Sequence, residues 1–191
     1  MSGHFEALPG GGAAVPLDEV EVSILRSLAV QLLELIGPGE TPPQGEDPLA
    51  ELFRAGPSEP PADPALARLF PNAYEDGDEE LRAASAEFRR YTENDLRARK
   101  REDALTVVRS LDTLSVTGEG GAVLKLSAEE SRHWLGALND LRLTIGTRLE
   151  VADDDESEAL YRLPDSDPRK PMVMAYLWLG ALQETLVETM M

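Results

Sequence analysis

Nine of the fourteen prolines lie between residues 37 and 78. Proline fixes φ and has no N–H to donate, so this density forbids a long helix or a central strand there. It divides the 191 residues into three parts: 1–36, a proline-rich excursion over 37–78, and 79–191. The total length suits a single domain. Inside the excursion two near-copies of one phrase occur, DPLAELF at 47–53 and DPALARLF at 63–70. In each, the Asp caps a helix, the Pro fits its first position, and Leu and Phe supply a short apolar face. The spacing predicts two short helical anchors on the core, joined by a PSEPPA loop.

The first part reads as a hairpin followed by a helix. His4–Leu8 and Ala13–Leu17 flank the turn-forming Pro9-Gly10-Gly11-Gly12. Asp18 and Glu21 then stand in the capping-box relationship. Val20, Ile24, Leu28 and Leu32, with Leu25, Ala29 and Ile36 beside them, predict an apolar helix face that ends at Gly37-Pro38.

The third part begins with a long helix over 79–113. Leu81, Ala84, Phe88, Tyr91, Ala98, Leu105 and Val108 keep its apolar phase. A second hairpin is predicted from Thr113–Thr117 and Ala122–Leu126 around Gly118-Glu119-Gly120-Gly121. Ser127 and Glu130 form a second capping box, and Trp134, Leu138, Leu141, Ile145 and Leu149 the apolar face behind it. Pro171 opens a final helix with Met172, Tyr176, Leu179, Leu186 and Met190 in one stripe. Val173, Leu177, Trp178 and Ala181 cover much of the rest of it, which asks for burial in a core or a homodimer interface.

A shift of 109 residues overlays the two hairpin-helix units. Gly12 meets Gly121, Leu17 meets Leu126, Asp18 meets Ser127, and Glu21 meets Glu130. The expected fold is therefore α+β and mainly helical. A small antiparallel sheet comes from two β-hairpins, each followed by an amphipathic helix, alongside a long central helix and an apolar C-terminal helix. The correspondence predicts a pseudo-two-fold between the units.

Composition excludes more functions than it selects. Lys+Arg is 18 against Asp+Glu 36, a net charge of -18. Such a surface repels phosphate backbones and anionic lipid, which disfavours DNA and membranes as partners of the whole surface. The longest uncharged apolar stretch, Met172–Leu182, is too short to span a bilayer, and the N-terminus shows no signal peptide. A cytoplasmic protein is expected. There is no cysteine, hence no thiol nucleophile, thiolate metal site or disulfide. No HExxH, EF-hand, GxSxG or phosphate-binding loop occurs, and the acidic run 153–156 lacks the spacing of a calcium loop. No cofactor, metal or catalytic residue is expected.

The local charge feature is on the long helix. Arg89, Arg90, Arg97, Arg99, Lys100 and Arg101 fall within thirteen residues, and residues 73–111 carry eight basic against ten acidic groups. The flanking parts are far more acidic, so this helix is a relatively basic island. It predicts either a docking strip for an acidic protein, a handle for DNA phosphate, or pairing with carboxylates of the same chain, Glu93 with Arg97 being an i,i+4 pair already.

The segments LFPNAY (69–74) and EFRRYTENDLRARKREDA (87–104), with the paired hairpin-helix units, resemble an actinobacterial family of unknown function. Its members are labelled transcriptional or oxidative-stress regulators, and their genes usually lie beside that of ClpS. Leu69, Phe70, Pro71, Tyr74, Phe88 and Tyr91 carry the resemblance. It implies a non-enzymatic regulator acting through a protein partner, the transcription machinery among the candidates. A directly DNA-binding regulator, an adaptor for Clp proteolysis and an enzyme of another class are the alternatives. Thiol-based redox sensing does not carry over to a chain without cysteine.

Overall fold

The computed structural model describes residues 3–38, 55–74, 77–114, 121–151, 160 and 162–191. Within them the elements run β1 (Glu6–Ala7), β2 (Ala13–Leu17), α1 (Glu19–Ile36), α2 (Pro64–Leu69), α3 (Glu79–Asp112), β3 (Ala122–Leu126), α4 (Ala128–Arg148) and α5 (Lys170–Glu188). The fold is α+β and mainly helical, as the periodicities predict. Of the two expected short anchors, 63–70 forms α2, capped by Asp63 through the N–H groups of Ala65 and Leu66 at 2.8 and 3.0 Å. The other, at 47–53, lies outside the described residues.

The sheet is antiparallel in the order β1-β2-β3. β2 and β3 pair from Ala13↔Leu126 to Leu17↔Ala122, with Val15 opposite Leu124 at the centre. Those central residues are themselves 109 apart, so the two strands exchange places about a local two-fold through that pair. Gly12 and Gly121 repeat the relationship. Both have positive φ, +92° and +65°, and a Cβ on Gly12 would meet Leu126 O while one on Gly121 would meet Leu17 O. No side chain fits either place, which is why glycine stands at both strand starts. Both capping boxes are present. Glu21 N–H donates to Asp18 and Asp18 N–H to Glu21, and Ser127 and Glu130 repeat the exchange. Of the expected second hairpin, Ala122–Leu126 forms β3 and pairs with β2; Thr113 closes α3, and residues 115–120, the rest of the expected first strand and turn, lie outside the described residues.

One apolar core joins the sheet to the helices. Phe5, Val15, Leu17, Leu124 and Leu126 from the sheet side meet Leu25, Leu32 and Ile36 of α1, Val107 and Leu111 of α3, Trp134 and Leu138 of α4, and Leu179, Leu182 and Leu186 of α5. Phe5 meets Trp134 edge-to-face at 6.0 Å, and Trp134 Nε1 donates to Ser110 Oγ, which removes the polar cost of burying an indole. Three helix faces are rotated from their predicted positions. On α1 the buried row is Leu25, Ala29, Leu32 and Ile36, and Val20 is exposed. On α5 it is Val173, Trp178, Leu179, Leu182 and Leu186, with Met172 and Met190 outside. On α3 the change has functional weight.

Candidate functional site

α3 has 34 residues, about 50 Å at 1.5 Å per residue. Its inward face over the first half is polar. Ser85, Arg89 and Glu93 are buried there, and no residue of α3 before Leu96 joins the apolar core. The segment 69–74 runs along this face. Arg89 donates to Glu93 Oε2 at 2.5 Å, to Phe70 O at 3.0 Å and to Asn72 Oδ1 at 2.9 Å. Glu93 accepts a second bond from Arg97 at 2.7 Å, and Arg97 lies 4.4 Å over the Phe70 ring. Ser85 Oγ bonds both the N–H and the carbonyl of Tyr74. A buried Arg–Glu–Arg triad thus fastens LFPNAY to the FRRYTENDL helix, so the two segments that carry the family resemblance form one structure.

The next turns of α3 serve the neighbouring helices. Arg97 donates to Ile36 O, and Arg101 to Leu33 O at 3.3 Å and Gly37 O at 3.0 Å. These carbonyls end α1, whose last turn contains no basic residue. Leu33 O also accepts from Gly37 N–H at 3.0 Å, so the two cations from α3 supplement the cap, serve the last carbonyls at Ile36 and Gly37, and oppose the dipole of α1. Lys100 pairs with Asp140 of α4 at 2.6 Å. Burial pushes the Asp140 carboxyl above its ordinary range, against the pull of Lys100, and the nearby Asp103 carboxylate acts in the same sense as burial. Asp103 itself lies 2.7 Å from His133 Nδ1.

Of the six cations in the predicted strip, Arg89, Arg97, Lys100 and Arg101 are thus engaged within the chain. Arg90 and Arg99 are exposed, and Arg90 sits 5.9 Å from the ring of Tyr91. The family-motif residues divide likewise. Leu69 and Phe70 are buried; Pro71, Tyr74, Phe88 and Tyr91 are exposed. The hub of the network, Glu93, entered the sequence reading only as one i,i+4 partner. Its signal was the four-residue spacing to an arginine on both sides.

The outward face of α3 is the reverse of an ordinary amphipathic helix. Leu81, Phe88 and Tyr91 are 41%, 52% and 67% exposed, and Ala84 lies in the same row. These are the residues whose periodicity predicted the packed face. They do keep a helical phase, but they point away from the core because the polar triad occupies the inside. Elsewhere, a recess of ≈ 500 Å³ between α1, α4 and α5 is lined mainly by Leu28, Leu32, Leu35, Leu141 and Ile145. Its rim residues are already bonded, Arg148 to Asp63 and Thr144 to Asp140 O. Among the described residues no group of three or more acidic or histidine side chains is placed to hold a metal ion, and no helix is long and apolar enough to cross a membrane.

Residues 2–190 match the family model described as a domain of unknown function, DUF2017. The chain is similar to a Mycobacterium leprae protein named provisionally as oxidative stress regulator AosR. The two are 32% identical over 185 residues, covering 90% of this chain and 79% of that one. It is 30% identical over 185 residues to the oxidative stress regulator AosR of Mycobacterium tuberculosis H37Rv, covering 90% and 78%. The Mycobacterium bovis protein of that name matches equally. No solved structure matches the chain significantly.

Proposed function

The chain belongs to the DUF2017 family, and from that premise we propose that it is a cytoplasmic regulatory protein that works by protein–protein contact and not by catalysis. The names of its relatives support the regulatory part. The observation that carries the contact part is the row of Leu81, Phe88 and Tyr91, exposed side by side on a helix whose inner face is closed by charge. Contiguous exposed aromatic surface marks interaction sites. Aromatic and arginine side chains are also the usual energetic anchors of interfaces, and Arg90 and Arg99 flank the row. The chain has no cysteine, so it has no thiol sensor of its own; a regulator that acts by docking needs none.

Contact with a protein is favoured over direct contact with DNA. Each neutralised phosphate contributes a salt slope of about -0.9, and a protein needs several to bind usefully. On this helix three arginines, Arg82, Arg90 and Arg99, remain exposed without an ion-pair partner among the described residues, against a net charge of -18.

The test compares three immobilised baits in lysate of the native host: the unaltered chain, the double variant Phe88→Glu/Tyr91→Glu, and Val20→Glu, which changes an apolar residue exposed on α1. Proteins retained by the first and third and lost by the second are expected. Equal retention by all three would reject this face, and a salt-sensitive shift of duplex DNA by the purified chain would favour the DNA reading.

A further inference from the structure

The outward residues of α3 follow a heptad. Leu81, Ala84, Phe88, Tyr91, Asp95 and Ala98 alternate steps of three and four, so they form one continuous stripe, a spacing that also suits the seam between two paired helices. The half of α3 that bears the seam is also the half that contributes nothing to the apolar core. It is held from one side by the buried triad and the 55–74 segment, and no element among the described residues covers the other. We propose that this face is covered by the same face of a second copy of the chain, with the two helices antiparallel and centred between Phe88 and Tyr91. The proposal rests on the reading of this face as a protein-docking surface, and names its occupant when no other partner is bound.

The seam is self-complementary in one orientation. Antiparallel pairing about that centre sets Phe88 against Tyr91 of the second copy, and Tyr91 against its Phe88, giving two adjacent aromatic layers. Leu81 then faces the small Ala98, and Asp95 faces the small Ala84, beside which an exposed carboxylate keeps its water. Parallel pairing would set Asp95 against Asp95 within the seam, and like charges so close repel. The flanks agree. Antiparallel pairing brings Asp78 beside Arg99 of the second copy and Glu87 beside its Arg90. Those two arginines are the members of the basic strip that the fold leaves unpaired among the described residues. The net charge of -18 per chain does not oppose this arrangement strongly. The two bodies would lie at opposite ends of the paired helices, well beyond the ~8 Å screening length at physiological salt.

Because the chain has no cysteine, single introduced thiols report the geometry directly. Ala84→Cys and Asp95→Cys are prepared separately and oxidised mildly, alone and mixed. Antiparallel pairing puts 84 opposite 95, so the mixture forms a disulfide-linked dimer. Each variant alone stays uncrosslinked, because two like positions are then about 16 Å apart and a disulfide needs Cα atoms within about 7 Å. Light scattering should give twice 20.8 kDa for the unaltered chain at tens of micromolar, and half of that for Phe88→Glu with its helical circular dichroism retained. A monomer with no crosslink in the mixture overturns the proposal, and so does crosslinking of each variant alone. Should Phe88→Glu not fold, the crosslinking result decides. If the chain is monomeric but lysate proteins are still lost with Phe88→Glu/Tyr91→Glu, the dimer fails while the docking surface stands. A crosslinked dimer whose lysate partners ignore that variant fails the docking reading instead.

Discussion

Arg89 and Glu93, one turn apart on α3, form a 2.5 Å ion pair with side chains only 4% and 3% exposed. Glu93 is shared with Arg97, so one buried carboxylate serves two guanidinium groups. Removing it while both cations remain leaves uncompensated buried charge. Glu93→Ala is expected to destabilise the protein by about 3–5 kcal/mol. Replacing all three residues by apolar ones of similar volume should cost much less, since none of the three desolvated ions remains. Urea denaturation of both variants checks the contrast; equal losses would mean that the triad is held by something other than its charges.

Arg101 acts at a distance in sequence, closing α1 from α3 through Leu33 O and Gly37 O. Arg101→Met keeps most of the aliphatic stem and removes the donors. A loss of about 1.5–3 kcal/mol is expected, the range for hydrogen bonds from a charged group. Hydrogen exchange should show faster opening of the last turn of α1, with the β2–β3 pairing unchanged.

Gly12 and Gly10 separate strain from collision. Both have positive φ, but a Cβ on Gly10 meets nothing within 4 Å, whereas one on Gly12 would lie 2.2 Å from Leu126 O. Gly10→Ala should therefore cost about 1 kcal/mol, and Gly12→Ala should exceed the 1–3 kcal/mol of backbone strain alone. Gly121→Ala should resemble Gly12→Ala, because it presses on Leu17 O across the local two-fold. Thermal unfolding of the three variants gives the order.

Asp63 provides a pH-dependent contribution. The Arg148 guanidinium at 2.7 Å and the first N–H groups of α2 hold its carboxyl below the ordinary carboxylate range. A carboxyl with a lowered folded pKa binds protons more weakly in the native state than in the unfolded chain. Its stabilisation is complete above the unfolded value of 3.8 and is lost as pH falls through the folded value. Asp63→Asn keeps the cap and loses the ion pair. It should be less stable than the parent at pH 7, and the difference should shrink below pH 4. A constant gap from pH 7 to pH 3 would assign the effect to packing.

Much of the local architecture is legible in the sequence. Capping boxes at Asp18/Glu21 and Ser127/Glu130, the Asp63-Pro64 helix start, and glycine at 12 and 121 all express chemistry that acts over a few residues. The faces of the helices were less legible. In α3, periodicity correctly found a row at Leu81, Phe88 and Tyr91, yet a period says which residues share a face and not which way the face points. Burial of Arg89 and Glu93 on the opposite side depended on Phe70, Asn72 and Arg97 arriving with their polar groups.

The sequence by itself determined where helices begin, where the chain turns, and that two units 109 residues apart share one plan, because caps, glycines and prolines act through neighbouring backbone. The tertiary structure decided the destination of each charge. Arg97 and Arg101 look like a surface strip in the sequence, but they end among the terminal carbonyls of α1, more than sixty residues away. A long flexible cation is paired by whatever the fold brings within reach, and that is a property of packing which no local pattern encodes.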